Sequence, residues 1–393
     1  LVRHGIMMVG PAGTGKTRII NSLQDSLTQI TGTTHKRLKM NPKAIRAEEM
    51  FGETDKASGE WLDGIFSTIW AKFNDRNRKD IQWIICDGPV DALWIENLNS
   101  VLDDNKILTL ANGDRIPMTD NVKLMFEVED LRNASPATVS RAGIIYVSDS
   151  DLDWGPVLLS WLKRKPANYA TVFSNCFNKY VGKCTGPKTF GHLFQFVAKH
   201  CKVVVSGCRV GIIEGCCHLL DGLLASADLA TAGPELSAEL ERLFIYAVSW
   251  SVGGLLETED RKKFTEYFVN KVNNEDGSVP AGSPLPPLAD ENDTLFEYMV
   301  NTDSMEWEKW TTQSWEYPSQ LDEPDFSSML VPTIETTRAA FILQKLHAHK
   351  HAALMTGSSG TAKTSSALMF FDNSMDDSMK VKKVCFSSAT TPA

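Results

Sequence analysis

The chain has 393 residues, of which 42% are hydrophobic, enough to bury ordinary cores in about two or three domains. Its formal net charge of −9 argues against a nucleic-acid binder, because phosphate backbones attract basic surfaces. No stretch reaches the roughly 18 uninterrupted apolar residues of a membrane span, so no membrane partner is expected. The eight cysteines contain no CxxC pair, which favours a reduced, intracellular compartment.

A glycine-rich loop follows a short apolar run at residues 6–9, and a helical pattern begins directly after it. The loop fits GxxxxGK[ST], in which glycines let backbone N–H groups turn toward phosphate oxygens at the positive end of a helix. The lysine should reach the β- and γ-phosphates of ATP, and the hydroxyl of Thr17 should bind Mg²⁺. The predicted ATP-binding residues are Gly10, Pro11, Ala12, Gly13, Thr14, Gly15, Lys16, Thr17 and Arg18.

Further strands alternate with helices over the first 150 residues. They are predicted at residues 35–40, 82–86, 122–128 and 143–147, with a hairpin at 107–118 around an Asn-Gly turn. Alternation of this kind implies a parallel sheet flanked by helices, an α/β fold. We assign residues 1–150 to the large α/β subdomain of a P-loop NTPase.

Asp87 ends an apolar strand, as a Walker-B aspartate does, and it can hold Mg²⁺ beside Thr17. A simple turn at Asp87-Gly88-Pro89 is the alternative. In AAA+ ATPases the position of Gly88 normally carries a glutamate that polarises the attacking water, and losing such a base reduces the rate by roughly two to four orders of magnitude. Asp91 follows a proline and should point elsewhere. The sequence therefore predicts ATP binding with little or no hydrolysis.

Two charged residues complete the predicted first site. Glu129 stands near the end of a strand, where AAA+ proteins usually place a polar sensor; an ordinary surface charge is the alternative. Arg141 precedes a strand at the place where ring ATPases carry an arginine finger, a group that reaches the γ-phosphate of a neighbouring module. Capping of helix carbonyls is the alternative role for Arg141.

The remainder of the chain changes character at residue 151. Apolar spacing near the helical period predicts helices at residues 154–163, 169–180, 190–206, 210–225 and 236–256, so residues 151–272 form an α-helical small subdomain. Four prolines between residues 273 and 293 indicate a linker, and residues 273–330 are assigned to an irregular segment. Its tryptophans, Trp307, Trp310 and Trp315, are expected to be packing anchors.

A second strand–loop–helix pattern lies near the C-terminus. A helix is predicted at residues 334–347 and a strand at 352–356, and Ala362 in the following loop stands where glycine is usual. We assign residues 331–393 to the start of a second, truncated AAA+ module, and both ends of the chain look cut. Its predicted nucleotide-binding residues are Gly357, Ser358, Ser359, Gly360, Thr361, Ala362, Lys363 and Thr364.

Several of these segments resemble dynein heavy chains. Residues 87–106, 40–44, 108–116 and 135–143 are similar to the second AAA+ module of that family, of an axonemal more than a cytoplasmic type. Residues 330–333, 357–364 and 386–392 are similar to the start of the third module. The resemblance implies a ring of AAA+ modules within one heavy chain of a microtubule motor, with nucleotide held between neighbouring modules, in the axoneme of a cilium or flagellum.

The same resemblance implies cofactors and partners. ATP and Mg²⁺ are the implied cofactors, and Arg141 would serve the site of the preceding module. Residues 107–118 and 48–60 would meet the dynein linker. Intermediate and light chains would be partners through the parent complex, and microtubules only through a stalk that lies outside this sequence.

Two other functions remain open at this point. An independent AAA+ remodelling ATPase would turn ATP over at the first site, and Gly88 argues against it. A non-catalytic interaction scaffold with vestigial loops would not need Lys16, Thr17 and Asp87, all of which are present.

Overall fold

The computed structural model describes residues 4–149, 153–185, 188–274, 280, 282–290, 292–312, 314–317, 329–374, 379–387 and 390. The chain divides into two compact units. The first comprises Leu1–Leu152 and Cys385–Ala393, and the second comprises Asp153–Val384. Within the described ranges, every helix is too short or too polar to cross a membrane.

The first unit is built on a parallel sheet. Its strands are β1 (Gly5–Val9), β2 (His35–Met40), β3 (Gly52–Thr54), β4 (Trp61–Asp63), β5 (Ile81–Asp87), β6 (Ile107–Thr109), β7 (Arg115–Pro117), β8 (Val122–Val128) and β9 (Gly143–Tyr146). Five of them form one sheet in the order β2-β5-β8-β1-β9, with every neighbouring pair parallel. The predicted hairpin is present as the antiparallel pair β6–β7.

Helices cover this sheet, which confirms the predicted α/β class. They are α1 (Lys16–Thr31), α2 (Ala47–Phe51), α3 (Ile65–Phe73), α4 (Ala92–Ile95), α5 (Asn99–Leu102) and α6 (Pro136–Arg141). Ile20 of α1 packs with Met8, Trp83 and Met125 from alternate positions of the strands. The intervening positions face a larger cluster that contains Trp70 of α3. Since side chains of a strand alternate between faces, the central strands β1, β5 and β8 each contribute to both clusters.

The second unit is largely helical. Its helices are α7 (Gly155–Leu162), α8 (Ala167–Cys176), α9 (His192–His200), α10 (Arg209–Leu224), α11 (Gly233–Ser251), α12 (Arg261–Val272), α13 (Ile334–Ala348) and α14 (Lys363–Ser374). Two short hairpins pair β10 (Lys183–Thr185) with β11 (Lys188–Phe190), and β12 (Tyr298–Val300) with β13 (Trp307–Lys309). Fully buried aromatic rings hold the short helical segment after α8, Phe177–Val181, against α11 and α12, with Tyr180 stacked on Phe268 at 5.2 Å between ring centroids.

Three predictions for the second half need correction. The helix predicted at residues 190–206 ends at His200, because Cys201 adopts extended backbone and Val203 bridges Leu256. The helix predicted at 236–256 ends at Ser251. Trp315 is 40% exposed and is not a core anchor, whereas Trp310 is buried and Trp307 donates to the Pro284 carbonyl at 2.8 Å.

The strand predicted at residues 352–356 is also wrong. This segment has no strand partner among the described residues, and Leu354 is 87% exposed. The corresponding strand of the first unit, β1, pairs with β8 and β9, which come from far along the chain. A strand requires such a neighbour to satisfy its backbone groups, so apolar character alone does not produce one.

Candidate nucleotide-binding site

The first P-loop connects β1 to α1 and has the backbone that phosphate binding requires. Gly13 and Gly15 take left-handed φ values of 82° and 89°. A Cβ on Gly10 would lie 2.1 Å from the carbonyl oxygen of Val147, so no larger residue fits there. The loop ends where the 16-residue helix α1 begins, at Lys16. The unpaired backbone N–H groups of the first turn of this helix are therefore next to the loop, where they can bind phosphate.

Lys16 lies across its own loop. Its Nζ donates to the carbonyl oxygens of Gly10 and Pro11 at 2.5 and 2.8 Å, and Thr14 Oγ1 also donates to Pro11 at 2.9 Å. Burial lowers the pKa of Lys16, although the nearby negative charges, Glu127 foremost, act in the opposite direction. Ala12 and Arg18 are exposed at the two ends of the loop.

Two carboxylates face the P-loop from neighbouring strands. Asp87 of β5 lies opposite Glu127 of β8 in the sheet register. Glu127 is buried, and its Oε2 accepts a hydrogen bond from Thr17 Oγ1 at 3.0 Å. Glu129, the predicted sensor, lies beyond the end of β8 and is exposed. The structure therefore brings together Lys16, Thr17, Asp87 and Glu127, and sequence reasoning missed the last of these.

A second lysine joins these carboxylates. Lys39 of β2 forms ion pairs with Asp87 at 2.8 Å and with Glu127 at 3.0 Å. Burial lowers the pKa of Lys39, but its hydrogen bonds to the two carboxylates outweigh that effect, and the net direction is upward. The sequence carried a signal for both missed residues. Lys39 and Glu127 are charged residues within strands. Because side chains alternate between the two faces of a sheet, the register places both on the same face as Asp87.

The donors in this cluster fit Mg²⁺, an ion that prefers oxygen ligands. Thr17 supplies a hydroxyl and Asp87 a half-exposed carboxylate. The other oxygen of Glu127, Oε1, is buried and has no hydrogen-bond donor among the described residues. A buried carboxylate oxygen without a donor is unfavourable unless a cation or water satisfies it. A bound Mg²⁺ would supply positive charge to the phosphates here.

Gly88 is enclosed by its neighbours. A Cβ at this position would lie 2.5 Å from Oδ1 of Asn41. That oxygen is held in place, since it accepts a hydrogen bond from the backbone N–H of Lys43 at 3.0 Å. Asp91 is engaged elsewhere: its carboxylate accepts from Lys43 Nζ at 2.6 Å and caps α4, and the bond to Lys43 lowers its pKa.

Arg141 is the last residue of α6. Its guanidinium forms an ion pair with Asp103, and the side chain is 33% exposed. Ser135 caps the start of the helix by accepting from the N–H of Thr138 at 3.3 Å. The predicted finger is thus held on its own module by a carboxylate, apart from the P-loop cluster.

The second loop has the same internal hydrogen bonds as the first. Lys363 Nζ donates to the carbonyls of Gly357 and Ser358 at 2.9 and 2.6 Å, and Thr361 Oγ1 donates to Ser358 at 2.9 Å. Gly360 has φ 79°, close to that of Gly13. Ala362 has φ 56°, so an alanine adopts the left-handed conformation that Gly15 adopts in the first loop. Helix α14 then begins at Lys363 and includes Thr364.

Comparison with known proteins identifies the family. Residues 5–142 match the family described as AAA domain (dynein-related subfamily), and residues 173–312 match the dynein heavy chain AAA lid domain. Residues 317–393 match the P-loop containing dynein motor region. The chain belongs to the dynein heavy-chain family. It represents part of the AAA motor region, and membership of AAA families implies nucleotide binding, usually with Mg²⁺.

Similarity to dynein heavy chains over the whole length of this chain supports this assignment. The chain is 42% identical to the dynein gamma chain of the flagellar outer arm of Chlamydomonas reinhardtii, over 100% of its own length. It is 41% identical to dynein axonemal heavy chain 5 of Rattus norvegicus and 40% identical to dynein axonemal heavy chain 8 of Homo sapiens, again over its full length. The chain spans only 8%, 11% and 8% of these three relatives.

Proposed function

We propose that this dynein segment forms part of the AAA ring of an ATP-driven microtubule motor in the axoneme. Its first site binds Mg-ATP and hydrolyses it very slowly or not at all. The axonemal assignment is supported by the names of the relatives that match over the whole chain. The P-loop geometry and the oxygen donors of Thr17, Asp87 and Glu127 support binding of the nucleotide with its metal.

The surroundings of Gly88 carry the proposal of slow hydrolysis. Glycine offers no group to polarise water, and the adjacent Asn41 oxygen fills the space that a side chain there would enter. Asp91 is held by Lys43. Glu127 is engaged as well, because its Oε2 accepts a hydrogen bond from Thr17 and forms an ion pair with Lys39.

The test is to measure ATP binding and ATP turnover on the same 393-residue chain. In a chain whose second loop is disabled by Lys363→Ala, equilibrium binding should show saturable binding of ATP that Lys16→Ala abolishes. Single-turnover hydrolysis should stay far below about 1 per second, a rate within the ordinary range for enzymes. Turnover near that rate, lost in Lys16→Ala, would contradict the proposal, and so would a wild-type chain that fails to bind ATP.

Roles outside the first site belong to the same proposal. Arg141 acts as an arginine finger on the preceding module once its pairing with Asp103 is broken. The hairpin β6–β7 and residues 48–60 contact the dynein linker, while neighbouring AAA modules cover the ring faces. Intermediate and light chains are partners through the parent complex. An independent remodelling ATPase is the alternative function, and measurable turnover at the first site would favour it.

A further inference from the structure

Lys39 occupies an unusual position relative to the proposed magnesium ligands. Its ammonium lies within 2.8 Å of Asp87 Oδ2 and 3.0 Å of Glu127 Oε2. These two carboxylates and Thr17, which donates to the same Glu127 oxygen, are the groups that the metal would contact. A cation from the protein itself therefore bridges the acidic side of the site.

The position of Lys39 is set by the fold. It lies in β2, which pairs with β5 in parallel register, and its side chain emerges on the face of Asp87. Glu127 is 3% exposed, so its charge is poorly screened by solvent and requires a compensating cation. Among the described residues, the ion pair with Glu127 is formed by Lys39 and not by Lys16, whose Nζ donates to two carbonyl oxygens of the loop.

We infer that Lys39 is a built-in counter-ion that takes over part of the role of Mg²⁺, so that ATP binding at this site depends only weakly on the metal. This inference rests on the proposed ATP binding and concerns how strongly that binding depends on Mg²⁺. Lys39 neutralises the carboxylates that would otherwise repel the phosphates when no metal is bound. Conversely, a divalent ion that approaches Asp87 and Glu127 is repelled by the ammonium and must displace it.

The experiment compares the dissociation constant of ATP in EDTA with that in saturating Mg²⁺, in a chain whose second loop is disabled by Lys363→Ala so that only the first site is measured. For the wild-type chain, Mg²⁺ should strengthen binding by less than about tenfold, because the lysine already neutralises the site. In Lys39→Met, binding in EDTA weakens and binding in Mg²⁺ is retained or improved. The ratio of the two constants should rise by about tenfold or more, since two neighbouring carboxylates then lack a cation.

Two matched variants separate charge from structure. Lys39→Arg keeps the positive charge and should keep a wild-type ratio. Lys36 lies near the start of the same strand, away from the P-loop, and forms an ion pair with Asp80 at 2.7 Å. Lys36→Met should therefore leave the ratio unchanged. Thermal denaturation of each variant verifies that it is folded.

The outcomes distinguish this inference from the proposed function. A wild-type chain whose ATP binding is strengthened more than about tenfold by Mg²⁺ overturns the inference without any variant, because no internal counter-ion is then at work. An unchanged ratio in Lys39→Met overturns it as well. Failure of the wild-type chain to bind ATP in either buffer overturns the proposed function itself.

Discussion

At the scale of single residues, the two P-loops form a natural comparison. Gly15 and Ala362 occupy equivalent positions, and both have left-handed backbone, with φ of 89° and 56°. A Cβ at Gly15 would meet no heavy atom within 4 Å, so a substitution there tests backbone strain alone. For an L-residue the left-handed conformation costs roughly 1–2 kcal/mol.

Opposite effects on stability are therefore expected from the two exchanges. Gly15→Ala should lower the free energy of unfolding by about 1–2 kcal/mol, while Ala362→Gly should raise it by up to about 1 kcal/mol after the entropy of the unfolded chain is considered. Gly215→Ala is the control, because this glycine also has open space but lies within α10, where alanine should stabilise by about 0.5–1 kcal/mol. Urea denaturation of each variant measures these changes. A stabilising Gly15→Ala would show that the strain argument is wrong.

Gly88 gives a second prediction at this scale. Restoring the usual glutamate with Gly88→Glu alone should leave single-turnover hydrolysis slow, since the new Cβ would lie 2.5 Å from Asn41 Oδ1. The double variant Asn41→Ala with Gly88→Glu removes that obstruction, and the rate should rise by about tenfold or more as the base is restored. Asn41→Ala alone is the control and should remain slow. A rate in Gly88→Glu equal to that of the double variant would refute the steric explanation.

At the scale of elements, α9 and α12 are joined by a titratable contact. His192 Nδ1 lies 2.6 Å from the hydroxyl of Tyr267, which in turn donates to the carbonyl of Tyr180 at 2.8 Å. Burial lowers the pKa of His192 below its ordinary value of 6.5, and the charge of Lys271 lowers it further. The folded chain therefore favours neutral histidine at this position.

The sign of the resulting pH dependence follows from linkage. Below pH 6.5 the unfolded chain takes up a proton at His192 more readily than the folded chain, so stability is fully present above that pH and falls as the pH decreases. His192→Gln should make this fall shallower in thermal denaturation between about pH 7 and 5. His200→Gln, an exposed histidine at the end of the same helix, is the control. An identical slope in wild type and His192→Gln would contradict the argument.

The elements also show what the sequence could and could not predict. Strand β8 matches its predicted range of residues 122–128, because a mostly apolar segment in a buried parallel strand is a strong signal. The prediction of a strand at residues 352–356 was wrong, because strand formation depends on partners that are distant in the sequence. Glu129 and Glu127 differ by two positions and would share a face in a continuous strand, but β8 ends at Val128, and only the structure shows that Glu127 is the carboxylate that reaches Thr17.

At the scale of the whole molecule, the matched families divide the chain into an AAA domain, a lid domain and a P-loop region of the dynein motor. Membership of AAA families implies nucleotide binding. Under the proposed function, the microtubule-binding stalk lies outside these regions, and the motor would reach its track only through that element. The net charge of −9 likewise gives the chain no excess of positive charge for binding an acidic surface.

The chain by itself should therefore not bind microtubules. In cosedimentation at physiological salt it should stay in the supernatant, with or without ATP, because the proposed function places the binding element outside this segment. Lys16→Ala should behave identically, since the first site does not contact the track. Sedimentation that rises with microtubule concentration and saturates would show that a binding surface exists within this segment. The proposal that microtubules are reached only through the stalk would then have to be abandoned, while the proposed ATP site would stand on its own test.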